Sequence, residues 1–385
     1  MCLRQCFRKE AKILTTCSDF FILIFQIKNG AQKCHGSRRP PITALNLLPE
    51  RSHTMNLFTT SEDITPAAFA DDSVPDGLVL CTPFHIEDNW EFVSDNTNSS
   101  CSHAEIETLI QKRIITLIDL EIMKVLATYH YINHHNLLTA LNLRLHPGYH
   151  KTSYLSNIRK LKKAGILLSY HLIRPEDMAA DPGAAPVSPL RLYCLSQSAY
   201  TYVERLCPDF HPLLPSSARR KLELAAAGQF LIQFEVHYRE KIARIDYQLA
   251  TKLGNTRFLI DAMIRYQTVL AEQPSIVTLF ILSVRIHKNW EKSALSRLHL
   301  LRVWLSRHET ECLIPLPVFL VENITMAISL YAQMIRMEPF PNFPVYFCPD
   351  SLLMVYPPLR AVYRCETNDD GKITAVRMIL DETIS

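Results

Sequence analysis

The stretch from Thr116 to Leu206 constrains the fold most tightly, because its helix and strand signals follow one another in an order few architectures satisfy. Thr116-Leu117-Ile118-Asp119 is a capping-box pattern, with Thr116 placed to accept from the Asp119 amide. Behind it Ile118, Ile122, Val125, Leu126 and Tyr129 recur at helical spacing and predict a first helix over about 117–130. Asn133 can cap a second helix carrying Leu137, Leu138 and Leu141. Pro147-Gly148 breaks the chain before a third helix, about 151–163, which closes at Ala164-Gly165. Ile166–Arg174 and Leu190–Leu195 read as two strands around a loop rich in Pro, Asp, Gly and Ala, and Ser196 opens a last helix to about Leu206. Three helices followed by a two-stranded hairpin is the order of a winged helix-turn-helix.

Charge is concentrated in that segment. Between Ile122 and Pro175 there is no Asp or Glu, against eight Lys/Arg and six His. The whole chain carries a formal +3, but residues 1–54 hold nine basic and three acidic groups, which leaves 32 basic against 35 acidic from Met55 onward. Affinity for a polyanion must then come from a local patch, since the global field does not supply it. On the third helix Leu155, Ile158 and Leu161 are expected to face the first two helices. Thr152, Ser153, Ser156, Asn157 and Lys160 form the opposite face, flanked by Lys151, Arg159, Lys162 and Lys163. Short hydroxyl and amide groups at the start of such a helix reach base edges in the major groove of double-stranded DNA, and longer cations reach phosphates. An amphipathic helix also shows a charged wet side, but here the stripe has one sign and sits on the third helix of the pattern. Exchanging Lys160 and Lys163 for Glu is expected to remove several phosphate contacts. His130, His134, His135, His146, His150 and His171 have no ligand spacing and read as surface or pocket residues. The wing tip, Pro175–Val187, carries Glu176, Asp177 and Asp181 and no cation, so it is not expected to enter the minor groove.

Other chemistries find no motif. The nine glycines make neither a G-x-x-x-x-G-K-[ST] loop nor G-x-G-x-x-G, which argues against a nucleotide cofactor. There is no G-x-S-x-G elbow and no His-hydrophobe-His metal pair. The eleven cysteines show no C-x-x-C pair, and Cys194, Cys207 and Cys348 lie in apolar contexts that suit reduced core thiols and a cytoplasmic location. The apolar runs Phe20–Ile27 and Val277–Val284 are too short to span a membrane. Glu366–Ile373 resembles a calcium loop, but Arg377 stands where the closing Glu belongs, so a hairpin turn is expected.

Four segments follow. Residues 1–54 lack periodicity, and Glu50-Arg51-Ser52 can be encoded by a purine-rich ribosome-binding sequence just before the Met55 codon. They read as a bacterial leader called in error, or as a disordered N-terminus. Residues 55–103 hold nine Asp/Glu and no Lys or Arg, and read as a largely disordered acidic arm, either a solvated tail or a segment that folds over the basic helix and competes with DNA. Residues 104–208 are the winged helix, and 209–385 a second, α/β domain.

The stretches ITLIDLEIMKVLATYHYIN, NIRKLKKAGIL and RLYCLSQSAYTYVERL resemble, in order and spacing, the bacterial replication-relaxation family of plasmids and mobile genetic elements. The resemblance continues through a helix near 217–238, LIDAMIRY, FILSVRIHKNWEKSALSRLHLLRVWL and PVFLVENITMAISLYAQMI, covering about 114–365. It implies an α+β chain, a winged helix followed by a restriction-endonuclease-like domain. The residues agree: Phe258–Met263, Ile276–Val284, Ile314–Val321 and Val345–Phe347 read as strands, Lys292–Ser306 and Met326–Met337 as helices, and Asn368–Gly371 as a hairpin turn. Nucleases of that fold hold a divalent metal between acids on adjacent strands. Asp261 matches the first acid, but Ser283 and Arg285 stand where a carboxylate and the next functional residue belong. One carboxylate beside an arginine is a poor magnesium site, although Asp246 or Glu235 could donate an oxygen. The implied function is DNA binding in plasmid replication or maintenance, with the second domain a catalytically inactive scaffold for partners or a homodimer. A magnesium-dependent nuclease using Asp261 and a transcriptional regulator of a mobile element stay open as alternatives.

Overall fold

The computed structural model describes residues 62–64, 84, 90–94, 100–145, 151–173, 190–207, 216–253, 256–270, 273–308, 314–337, 343–368 and 371–380. The expected leader 1–54, the wing tip Pro175–Val187, and His146 and His150 lie outside these residues. Two short strands come first, β1 (Glu62–Ile64) and β2 (Glu91–Ser94), followed by α1 (His103–Gln111), α2 (Leu117–Tyr129), β3 (Ile132–Asn133), α3 (His134–Arg144) and α4 (Lys151–Lys163). The hairpin β4 (Leu167–Ile173) and β5 (Arg191–Leu195) follows, then α5 (Gln197–Leu206). Local chemistry places the helix starts. Thr116 accepts from the Asp119 amide while Asp119 accepts from the Thr116 amide, Asn133 accepts from Asn136, and Ser196 accepts from Ala199. Gly165, at φ 68°, ends α4, with its amide and that of Ile166 bonded back to Lys162 and Leu161.

The second half begins with α6 (Ala218–Tyr238), whose residues from Leu224 through Ile232 are all buried. A helix apolar around its circumference must be covered on every side. α6 meets α2, α3 and β3 on one flank and the following strands on the other. Those strands are β6 (Ile242–Leu253), β7 (Thr256–Leu270) and β8 (Gln273–Ser283), an antiparallel meander. α7 (Trp290–Arg307) then crosses to β9 (Pro315–Val321), parallel to β8, and α8 (Ile324–Met334) crosses to β10 (Tyr346–Pro349), parallel to β9. A four-residue helix, α9 (Asp350–Leu353), precedes the antiparallel pair β11 (Val362–Thr367) and β12 (Ile373–Met378). One mixed sheet results, ordered β1-β12-β11-β10-β9-β8-β7-β6, beside a smaller one ordered β2-β4-β5-β3. Val277–Leu282 and Leu316–Val321 are buried throughout, as expected for strands covered on both faces. The chain is therefore a mixed α+β fold, and the described residues all belong to one compact unit. Among them no helix is long and apolar enough to cross a membrane.

Short pieces of the acidic arm are held against the rest of the fold, and most of 55–103 lies outside the described residues. Glu62–Ile64 pairs with β12, Glu91–Ser94 pairs with β4, and Phe84 is 1% exposed in a cluster with Leu172, Leu190 and Leu192. An open sheet edge offers backbone hydrogen bonds to any extended segment, so these pieces are held despite poor apolar content. Lys221 of α6 reinforces the attachment, lying 4.0 Å from the Tyr170 ring centroid with Phe92 and Tyr131 also around it. Burial lowers its ammonium pKa, a shift that neighbouring Cys194 opposes.

His130 is a departure from the expected helix. The first helix stops at Tyr129, and His130 takes φ 60° and ψ −59° while the Tyr131 amide bonds the Tyr129 carbonyl at 2.7 Å. That is a γ-turn in its rare, strained form, held by stacking of His130 on Tyr200 at 5.3 Å. It sends the chain into β3. The hairpin expected around Asn368–Gly371 is present, with Gly371 at φ 73°.

Candidate nucleic-acid interface

The apolar seam of α4 is Tyr154, Ile158 and Leu161, all 5% exposed or less. Leu155, expected on that seam, is 36% exposed. Tyr154, Ile158 and Leu161 fall at i, i+4 and i+7, a tighter stripe than one containing Leu155. Opposite that seam lie Ser156, Arg159 and Lys163, all exposed, with Lys162 half-buried on one flank. Among the described residues Arg159 has no carboxylate partner. The helix extends through Lys151, Thr152 and Ser153, whose side chains lie outside the described part.

Asn157 and Lys160 do something else. The Asn157 amide donates to Asp119 Oδ1 at 2.7 Å, and Lys160 Nζ contacts Asp119 Oδ2 while donating to the Ile114 carbonyl at 3.0 Å. Asp119 is fully buried and also holds the Thr116 amide at 2.6 Å. A buried carboxylate requires compensation, and these two α4 side chains provide it. Their expected role as outward DNA ligands is corrected on this point: both turn sideways to fix α4 against the start of α2. The sequence marked Asp119 only as a cap, since nothing in its spacing reveals which distant cation will cover its second oxygen.

The turn between α1 and α2 runs along this flank. Its backbone is fixed by hydrogen bonds from the Arg113, Ile114 and Ile115 amides to the Ile110 and Leu109 carbonyls, with Arg113 at φ 57°. Lys112, Arg113, Ile114 and Leu117 are exposed there.

Asp261, the candidate catalytic acid, lies on β7 and is 2% exposed. Arg220 of α6 sits 2.6 Å from Oδ1, Arg297 of α7 sits 2.7 Å from Oδ2, and the Ser283 amide donates to Oδ2 at 2.6 Å. Burial opposes ionisation of the carboxyl, but Arg220, Arg297 and the Ser283 amide outweigh it and hold the pKa below the ordinary 3.8. A carboxylate with two guanidinium cations on its oxygens does not fit a divalent metal, which wants several anionic or neutral oxygens. The other acids are engaged elsewhere. Glu235 accepts from the Tyr129 and Tyr247 hydroxyls at 2.7 and 2.8 Å, and Asp246 pairs with Arg244 at 2.6 Å. Arg285, two residues beyond Ser283, is fully buried and pairs with Asp350 at 3.1 Å. Among the described residues no group of three or more His, Cys, Asp or Glu could hold a metal ion. Arg220 and Arg297 escaped the sequence reading because each is a lone cation on a helix, with no spacing that ties it to Asp261.

A pH dependence follows from Asp261. Its folded pKa is depressed, so its contribution is complete above the unfolded value of 3.8 and is lost as pH falls through the folded value. Unfolding free energy measured by urea titration should decline as pH drops below 3.8, and Asp261→Asn should decline less steeply. Equal slopes would show that the arginines leave this carboxyl unperturbed.

No protein-family profile, no curated protein and no solved structure matches the chain.

Proposed function

We propose that the chain binds double-stranded DNA through residues 104–208, read as a winged helix-turn-helix with α4 as the recognition helix, and acts in replication or maintenance of a plasmid or mobile element. The observation that carries the reading is the single-signed outer face of α4, Ser156, Arg159 and Lys163, in a segment from Ile122 to Pro175 free of Asp and Glu. The order α6-β6-β7-β8-α7-β9, a meander continued by a parallel crossover, supports a restriction-endonuclease-like second half. The guanidinium groups around Asp261 support a scaffold in place of a metal-dependent catalyst.

The test is duplex binding by the full chain across a series of salt concentrations. The logarithm of the binding constant should fall linearly with log salt, with a slope of about −0.9 per phosphate neutralised. Salt-independent binding, or none, would refute the reading. Magnesium-dependent cleavage of supercoiled DNA that vanishes in Asp261→Asn would instead establish the nuclease.

A further inference from the structure

We propose that the turn between α1 and α2 is a second DNA-backbone contact, in which Lys112 and Arg113 bind phosphates and Ile114 and Leu117 lie against the sugar edge. This rests on the DNA-binding reading of α4 and extends its footprint. Lys160 makes the link geometrically, because its ammonium reaches both Asp119 and the Ile114 carbonyl. The flank of α4 bearing Asn157 and Lys160 therefore faces the turn. Ser156 and Lys163 stand four residues before and three after Lys160 on the helix surface, so they border the same flank. One strip runs from the turn across to the exposed face of α4.

The chemistry of the strip favours a nucleic-acid backbone. Among the described residues neither Lys112 nor Arg113 has a carboxylate partner. On the α2 side of the turn the acids are occupied, Asp119 by Thr116, Asn157 and Lys160, and Glu121 by Lys124 at 2.6 Å. Ile114 is 46% and Leu117 57% exposed, a large apolar pair left open beside two cations. Deoxyribose presents C–H surface between phosphates, which suits that pairing. The three backbone hydrogen bonds closing the turn fix the main chain that carries the cations before binding, which reduces the ordering cost.

The experiment uses the full chain and a mixed-sequence duplex, with affinity measured over a salt series. Lys112→Gln with Arg113→Asn, the latter chosen because Asn tolerates φ above zero, should reduce the slope by about 2 and weaken binding about tenfold at moderate salt. Lys112→Gln alone should reduce it by about 1. Ile114→Ser with Leu117→Ser should weaken binding a few-fold and leave the slope unchanged. Urea midpoints equal to that of the parent chain establish that each variant is folded, and Lys112→Gln, outside the positive-φ position, keeps the test readable if the double variant is not. If these variants bind like the parent while Arg159→Glu with Lys163→Glu abolishes binding, the turn is no contact and the inference alone fails. If the parent chain does not bind duplex, the DNA reading fails with it.

Discussion

Asp261→Ala is expected to lower the folding free energy by about 3–5 kcal/mol, the usual cost of removing one partner from a buried ion pair. The alanine leaves Arg220 and Arg297, 19% and 18% exposed at their side chains, without the carboxylate that compensates them, and frees the Ser283 amide as well. Arg220 retains Glu223 at 2.8 Å and Arg297 retains the Ser283 carbonyl at 2.6 Å, so each guanidinium keeps one partner. Because Asp261 joins α6, β7 and α7, the loss should appear as a lower urea midpoint of one cooperative transition. A change below about 1 kcal/mol would mean that both guanidinium groups rehydrate freely, and that the ion cluster is not what holds α6 and α7 against β7.

Lys160→Glu and Arg159→Glu, adjacent in sequence, should both weaken duplex binding but differ sharply in their effect on stability. Lys160→Glu sets a second carboxylate against fully buried Asp119, so about 3–5 kcal/mol of stability should be lost and duplex binding with it. Arg159→Glu changes an exposed side chain, and stability should stay within about 0.5 kcal/mol of the parent. On the proposed DNA reading, duplex affinity should fall about tenfold or more, since a carboxylate would then face phosphate. Urea unfolding and fluorescence anisotropy on both proteins measure the two effects. A well-folded Lys160→Glu protein that merely binds DNA weakly would return Lys160 to the outer face and dismiss the tether to Asp119.

Helices α2 to α5 of the first half were legible because each carries local start or stop signals, whereas α1 was missed although Ser102 and Glu105 form a capping box of their own. Thr116, Asn133 and Ser196 cap where they stand, and Gly165 ends α4 within one residue of its expected place. The core strands β8 and β9 were legible from unbroken apolar runs. β6 was missed although Ile245, Tyr247 and Leu249 alternate, because an edge strand interrupted by charges gives a weak signal. β1 and β2 had no signal of their own, since their register comes from β12 and β4. On α4, residue types at helical spacing placed Ser156, Arg159 and Lys163 off the apolar seam, where they are exposed, while Leu155 was assigned to the wrong side of the stripe.

What the sequence determined by itself is everything decided within a few residues: caps, periodicity, the glycine stop, and an acid-free interval that concentrates positive charge. Tertiary structure alone decided which cations are spent internally. Lys160 and Arg159 are indistinguishable as neighbours on a chain, yet one covers Asp119, 41 residues away, and the other faces water. Asp261 likewise meets Arg220 and Arg297 from two different helices. A buried carboxylate takes whichever donors the packing of distant elements brings near, and that choice is made by desolvation in the folded state, where separation along the chain no longer matters.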